Sequence, residues 1–100
     1  MPRKPKKELS RAEAWGWQEL MVVSAFRYCL GSSTYVVNAC ADWLVSIWPL
    51  LSQKNREIIQ RDLEEAFEQD DRDRAAGDGY KRLGWDCDRT DWERVRKLWQ

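Results

Sequence analysis

Phe26-Arg-Tyr-Cys-Leu-Gly-Ser-Ser-Thr-Tyr-Val-Val-Asn-Ala-Cys-Ala-Asp-Trp-Leu44 is the stretch that decides the fold. Apolar residues arrive at helical spacing as far as Leu30. Gly31 then supplies the left-handed backbone that closes a helix, and Ser32, Ser33 and Thr34 offer hydroxyls to cap the next one. Val36, Val37, Cys40, Trp43, Leu44 and Ile47 follow as one apolar side, with Asn38, Asp42 and Ser46 recurring every four residues opposite them. The stretch therefore reads as a tight helical hairpin. Arg27 and Tyr28 fall beside the polar stripe of its second helix, where Arg27 is within reach of Asp42.

Toward the N-terminus, Trp15, Val22, Phe26 and Leu30 extend the first helix back to about Arg11, with Trp17, Leu20 and Met21 alongside. Ser10-Arg-Ala-Glu13 fits a capping box at its start. Residues 1–9 hold two prolines and four Lys/Arg. They read as a disordered basic tail, leaving residues 10–100 as a single helical domain. Toward the C-terminus, Pro49 stops the second helix (about Thr34 to Trp48), because it cannot continue the hydrogen-bond ladder. Ser52 caps a third helix running to about Gln69, with Ile59, Leu63, Ala66 and Phe67 inward. From Asp70 to Gly84 charges and glycines break the pattern, and the segment reads as a loop. Thr90-Asp-Trp-Glu93 is a second capping box, opening a short last helix with Trp92, Val95 and Trp99 on one stripe. The fold expected is all-α: a small single-domain bundle of three to four helices with a glycine-containing loop before the last helix.

Seven tryptophans among 100 residues give so small a chain the apolar surface for a core. Trp15, Trp43, Trp92 and Trp99 fall on inner stripes. Trp17, Trp48 and Trp85 do not, and are candidate anchors for a partner. Lys+Arg and Asp+Glu balance at 17 each, yet they segregate: residues 1–14 carry five basic and two acidic groups, residues 56–78 four basic and nine acidic. A neutral molecule of this kind is not expected to bind DNA through a basic surface. Cys29, Cys40 and Cys87 are odd in number and widely spaced, which fits reduced thiols in a cytoplasmic protein. Met1-Pro-Arg-Lys-Pro-Lys-Lys7 is not followed by an apolar run, so no secretory signal is expected. Arg27, Asn38 and Asp42 interrupt the apolar stretches, so no membrane span is expected either.

The chain has no histidine, which removes the commonest general base and metal ligand near neutral pH. No CxxC pair offers a zinc site. Asp71-Arg-Asp73 begins like a calcium loop but fails at Ala75, Ala76 and Arg82. Cys29 lacks a base and reads as a core thiol. No catalytic residue, metal or cofactor is expected. Function is then expected to reside in a surface, and two surfaces stand out. Glu64, Glu65, Glu68, Asp70 and Asp71 form an acidic patch suited to a basic partner, unless they are simply a solvated face. Arg27, Tyr28, Asn38 and Asp42 form a second patch on the hairpin, unless they merely brace the turn.

The hairpin, with its Phe26-Arg-Tyr-x-Leu-Gly31 and Thr34-Tyr35, resembles a small family of phage and prophage proteins. The resemblance extends to Trp48-Pro49, the charged third helix and Trp85-Asp-Cys-Asp-x-x-Asp-Trp92-Glu-Arg-Val95, covering roughly residues 20–99. Ser32 stands where a basic residue is expected. The chain is similar to anti-CRISPR proteins directed at type I-F systems. That resemblance implies binding to the RNA-guided effector complex and prevention of target DNA recognition, with no active site. A wedge with an acidic face would occupy a Lys/Arg-lined channel. Two other readings stay open: a sponge for a signalling nucleotide, with Arg27 holding phosphate and Tyr28 stacking a base, and a homo-oligomeric adaptor with tryptophans at its interface.

Overall fold

The computed structural model describes residues 11–77 and 79–100, and within them the side chains of all but residues 11–14 and 17. The expected basic tail, the Ser10 capping box and the side chain of Trp17 lie outside the described residues. Among those described there are four α-helices and no strand: α1 (Arg11–Cys29), α2 (Thr34–Ile47), α3 (Gln53–Ala76) and α4 (Asp86–Arg96). None is long and apolar enough to cross a membrane. The protein is an all-α bundle.

The α1–α2 turn closes at Gly31, whose φ of +76° lies in the left-handed region that glycine adopts without strain. Leu30 N–H donates to Phe26 O and Ser32 N–H to Cys29 O, both at 3.1 Å, so the carbonyls left over at the end of α1 find partners. Ser33 occupies the N-cap of α2. The Ser32 hydroxyl turns back instead and donates to Tyr28 O at 2.6 Å. Pro49 sits in a single 3-10 turn, Trp48–Leu50, which links α2 to α3. Arg56 holds this turn, donating to Trp48 O (3.1 Å) and Pro49 O (3.0 Å). Ser52 caps α3 as expected, accepting from Asn55 N at 3.3 Å. Glu19 ties α1 to the same helix start, accepting from Ser52 N–H and from Asn55 Nδ2. The Ser52 backbone bond, acting against partial burial, holds the Glu19 carboxyl below its ordinary value.

The core takes Val22 and Phe26 from α1, Val37, Cys40, Ala41 and Leu44 from α2, and Ile59, Leu63, Ala66 and Phe67 from α3. Trp92 and Val95 complete it from α4, with Leu51 and Leu83 entering from the links. The most extensive helix contact is between α2 and α4. Phe26 meets Trp92 edge to face, centroids 5.7 Å apart, an arrangement that aligns ring edge with ring face. Trp48 packs on Trp99 at 5.4 Å, so it closes one end of the bundle.

Three expectations are corrected. Trp43 is 36% exposed, because α4 covers the Val37–Ala41–Leu44 side of α2 and leaves its flank open. Helix α3 does not stop near Gln69 but continues to Ala76, ending at Gly77. The inner stripe continues past Phe67 through Asp70 and Asp73, both buried, where carboxylates replace apolar side chains. Helix α4 begins at Asp86, not Thr90. Asp88 Oδ2 accepts from Trp85 N–H at 3.0 Å to satisfy the helix start, and the Thr90 hydroxyl donates to Asp86 O inside the helix.

Candidate functional site

Asp70 is completely buried at the centre of a polar clasp. Its carboxylate accepts from Arg74 Nε (2.6 Å), Leu83 N (2.9 Å) and Arg89 Nη1 (2.5 Å). Burial alone would raise this carboxyl. The bonds from Arg74, Leu83 and Arg89 outweigh it and hold the group below the usual carboxylate range. One turn on, Asp73 accepts from Gln69 Nε2 (2.8 Å) and from the backbone N–H of Arg82 (3.0 Å). Arg74 extends the clasp to Asp86 Oδ1 (2.7 Å) and Gly84 O (3.2 Å), while Arg89 reaches Asp71 (2.8 Å).

These bonds hold the backbone of Arg82, Leu83 and Gly84 from below. Leu83, 1% exposed, is the apolar foot of the segment. Gly84 takes φ +77°, and a Cβ there would sit 2.6 Å from Asp88 Oδ2, so only glycine fits. Above this floor stand Tyr80 and Trp85, 71% and 74% exposed. They line a shallow concavity of about 170 Å³ with Gly31, Gly79, Lys81 and Gly84. The Arg82 guanidinium lies across Gly31, where a Cβ would come within 3.2 Å of its Nη1. The loop thus shows two large aromatic side chains to solvent, with the half-buried cations Lys81 and Arg82 between them in sequence.

The acidic patch expected on α3 is divided. Glu65 and Glu68 are exposed and make no hydrogen bond or ion pair among the described residues. Asp71 is exposed but paired with Arg89. Glu64 faces α4, taking both nitrogens of the Arg96 fork (2.9 and 2.8 Å) and Trp99 Nε1 (3.0 Å). The Arg96 bond holds its carboxyl low against partial burial. Asp70 is corrected outright: a fully buried carboxylate cannot meet a partner's surface.

The hairpin patch is divided as well. Arg27 pairs with Asp62 of α3 at 2.7 Å, not with Asp42. Asp42 pairs instead with Arg94 at 2.9 Å, because α4 packs along α2. Asn38 donates to both oxygens of Asp91 (3.2 and 3.3 Å), and Arg94 closes the chain onto Asp91 at 3.0 Å. Asn38 and Asp42 therefore brace α2 against α4, while Tyr28 is left 77% exposed. Cys29, Cys40 and Cys87 are free thiols. Burial, then the neighbouring Cys29, push the Cys40 thiol up and away from the reactive thiolate.

Tyr80 and Lys81 have no place in the sequence reading and Arg82 enters it only as a mismatch to a calcium loop, although Trp85 stands out as unexplained. The signal is the composition of Gly79-Tyr-Lys-Arg-Leu-Gly-Trp85 itself, two aromatics and two cations with no acid. No protein-family model, curated protein or solved structure matches the chain.

Proposed function

We propose that the protein acts by binding a macromolecule, without chemistry of its own, through the end of the bundle that carries Tyr80 and Trp85. The observation behind this reading is the pair of large aromatics, 71% and 74% exposed, that flank the Leu83 backbone anchored on buried Asp70. A free chain gains nothing from ordering a loop to show two such rings to water. Pre-ordered aromatic anchors lower the entropic cost of association and are enriched at the energetic centres of interfaces.

The partner follows from the resemblance of the Phe26–Tyr35 hairpin and the Trp85–Val95 stretch to phage proteins of the anti-CRISPR kind. In this reading the partner is an RNA-guided type I-F surveillance complex in a bacterial cytoplasm, and the outcome is blocked recognition of target DNA. Exposed, unpaired Glu65 and Glu68 add a negative edge that suits a channel lined for phosphates. The test is capture of the purified effector on the immobilised protein, followed by a target-DNA binding assay. Capture with lost DNA binding is expected, and Trp85→Ala should weaken capture. Undiminished DNA binding in excess protein would reject the proposal.

A further inference from the structure

We infer that the Tyr80–Trp85 loop is a contact site for single-stranded nucleic acid, its bases stacking on the two rings and its phosphates meeting Lys81 and Arg82. The inference rests on the proposed binding role of this loop and names the chemistry the loop recognises there.

Asp70, Asp73, Asp86 and Asp88 border the loop: Asp70 and Asp86 are paired with arginines, while Asp73 and Asp88 have no cation among the described residues but are buried on neutral donors, away from the outer surface. Asp70 holds Arg74 and Arg89, Asp86 holds Arg74, and Asp73 holds Gln69 and the Arg82 backbone. The side chains of Lys81 and Arg82 carry no ion pair among the described residues. Arg27, close by, is answered by Asp62. Glu65 lines the neighbouring concavity with Arg82 and marks the boundary of the cationic surface. Lys81 and Arg82, both half-buried, are thus the cations without an ion pair among the described residues beside the two exposed rings.

That combination selects among anionic partners. An acidic peptide answers the cations but does not carry a ring at each step to lay on Tyr80 and Trp85. A single strand supplies both, since every base has a π-face and the backbone carries a phosphate at each step. Duplex DNA hides its base faces, and a molecule with equal numbers of acids and bases has no broad field to hold it. The concavity beside Trp85 is shallow and floored by Gly31, Gly79 and Gly84, so a flat ring can approach the backbone. Asp70 and Asp73 hold the Leu83 and Arg82 amides between the two rings, and Asp88 holds the Trp85 amide. An RNA-guided complex contains such strands, in its guide RNA and in opened target DNA.

The test uses the intact protein and a labelled ten-nucleotide strand of mixed sequence, as RNA and as DNA, followed by anisotropy and tryptophan quenching at low salt. Saturable binding is expected, with Trp85→Ala and Tyr80→Ala each weakening it about tenfold and Trp85→Phe retaining most of it. The salt dependence should follow a log–log slope of about −1.4 for two phosphate contacts, falling to about −0.7 in Lys81→Gln. Circular dichroism should be unchanged in all four variants, because the substituted side chains lie outside the core. Preference for the RNA strand assigns the contact to a guide, preference for DNA to an opened target. Failure of both strands to bind, or binding indifferent to Trp85→Ala, overturns the inference, as does equal affinity for an acidic peptide. Effector capture without strand binding overturns this inference alone, and strand binding without effector capture overturns the proposed partner alone.

Discussion

Asp70 shows how one carboxylate can tie the end of α3 to the following loop and to α4. It gathers two guanidinium groups and a backbone amide at a point with no solvent contact. Asp70→Ala would leave Arg74 and Arg89 facing each other with their shared acceptor gone. A loss of about 3 kcal/mol or more in urea unfolding is expected, the usual cost of breaking a buried pair from one side. The same group sets a pH dependence. Asp70, Glu64 and Glu19 all titrate below their ordinary values in the folded protein. Their contribution is therefore fully present above the unfolded carboxylate value of about 4, and is lost as pH falls through the lower folded values. The urea midpoint should hold steady from about pH 7 to about pH 5 and fall steeply below about pH 4. In Asp70→Asn that fall should be shallower, since one of the three titrating groups is gone.

At the level of elements, α3 shows where apolar periodicity stops being a guide. Ile59, Leu63, Ala66 and Phe67 were readable as an inner stripe because hydrophobic burial leaves a pattern in composition. Asp70 and Asp73 continue that stripe geometrically, but a carboxylate inside is invisible unless its partners are known. Those partners, Arg89 and the amides of residues 82 and 83, come from later in the chain. The start of α4 was missed for a related reason: Asp88 reaches back to Trp85 N–H, and tryptophan is not a residue that announces a cap. The Gly31 stop, the Pro49 break and the Ser52 cap, by contrast, are local devices and were legible from the residues alone. The outer face of α3 allows a test free of folding effects. Glu65 and Glu68 make no pair among the described residues, so Glu65→Lys with Glu68→Lys should cost under about 1 kcal/mol, mainly through repulsion from Arg61 and Arg72 one turn away. Thermal melts should therefore move little, while effector capture at low salt should drop. Unchanged capture would remove the acidic edge from the contact surface.

For the whole molecule, the bundle was legible and the surface was not. The number and order of helices follow from hydrophobic period and chain breaks. Which polar groups find partners depends on docking: α4 engages Asp42, Asn38 and Glu64 and leaves Tyr80 and Trp85 outside. The clasped loop also bears on how the protein survives among proteases. Lys81 and Arg82 make Tyr80–Leu83 a natural cleavage site for a trypsin-like enzyme, which must draw several residues into an extended strand to cut. Both scissile peptides donate their N–H to buried carboxylates, Arg82 to Asp73 and Leu83 to Asp70. Digestion of the native protein should therefore be slow at this point. Weakening the clasp with Asp70→Asn should open it and give two fragments divided between α3 and α4, resolved by mass spectrometry well before the remaining helices are attacked. The anchorage that displays the loop is in this sense also its armour.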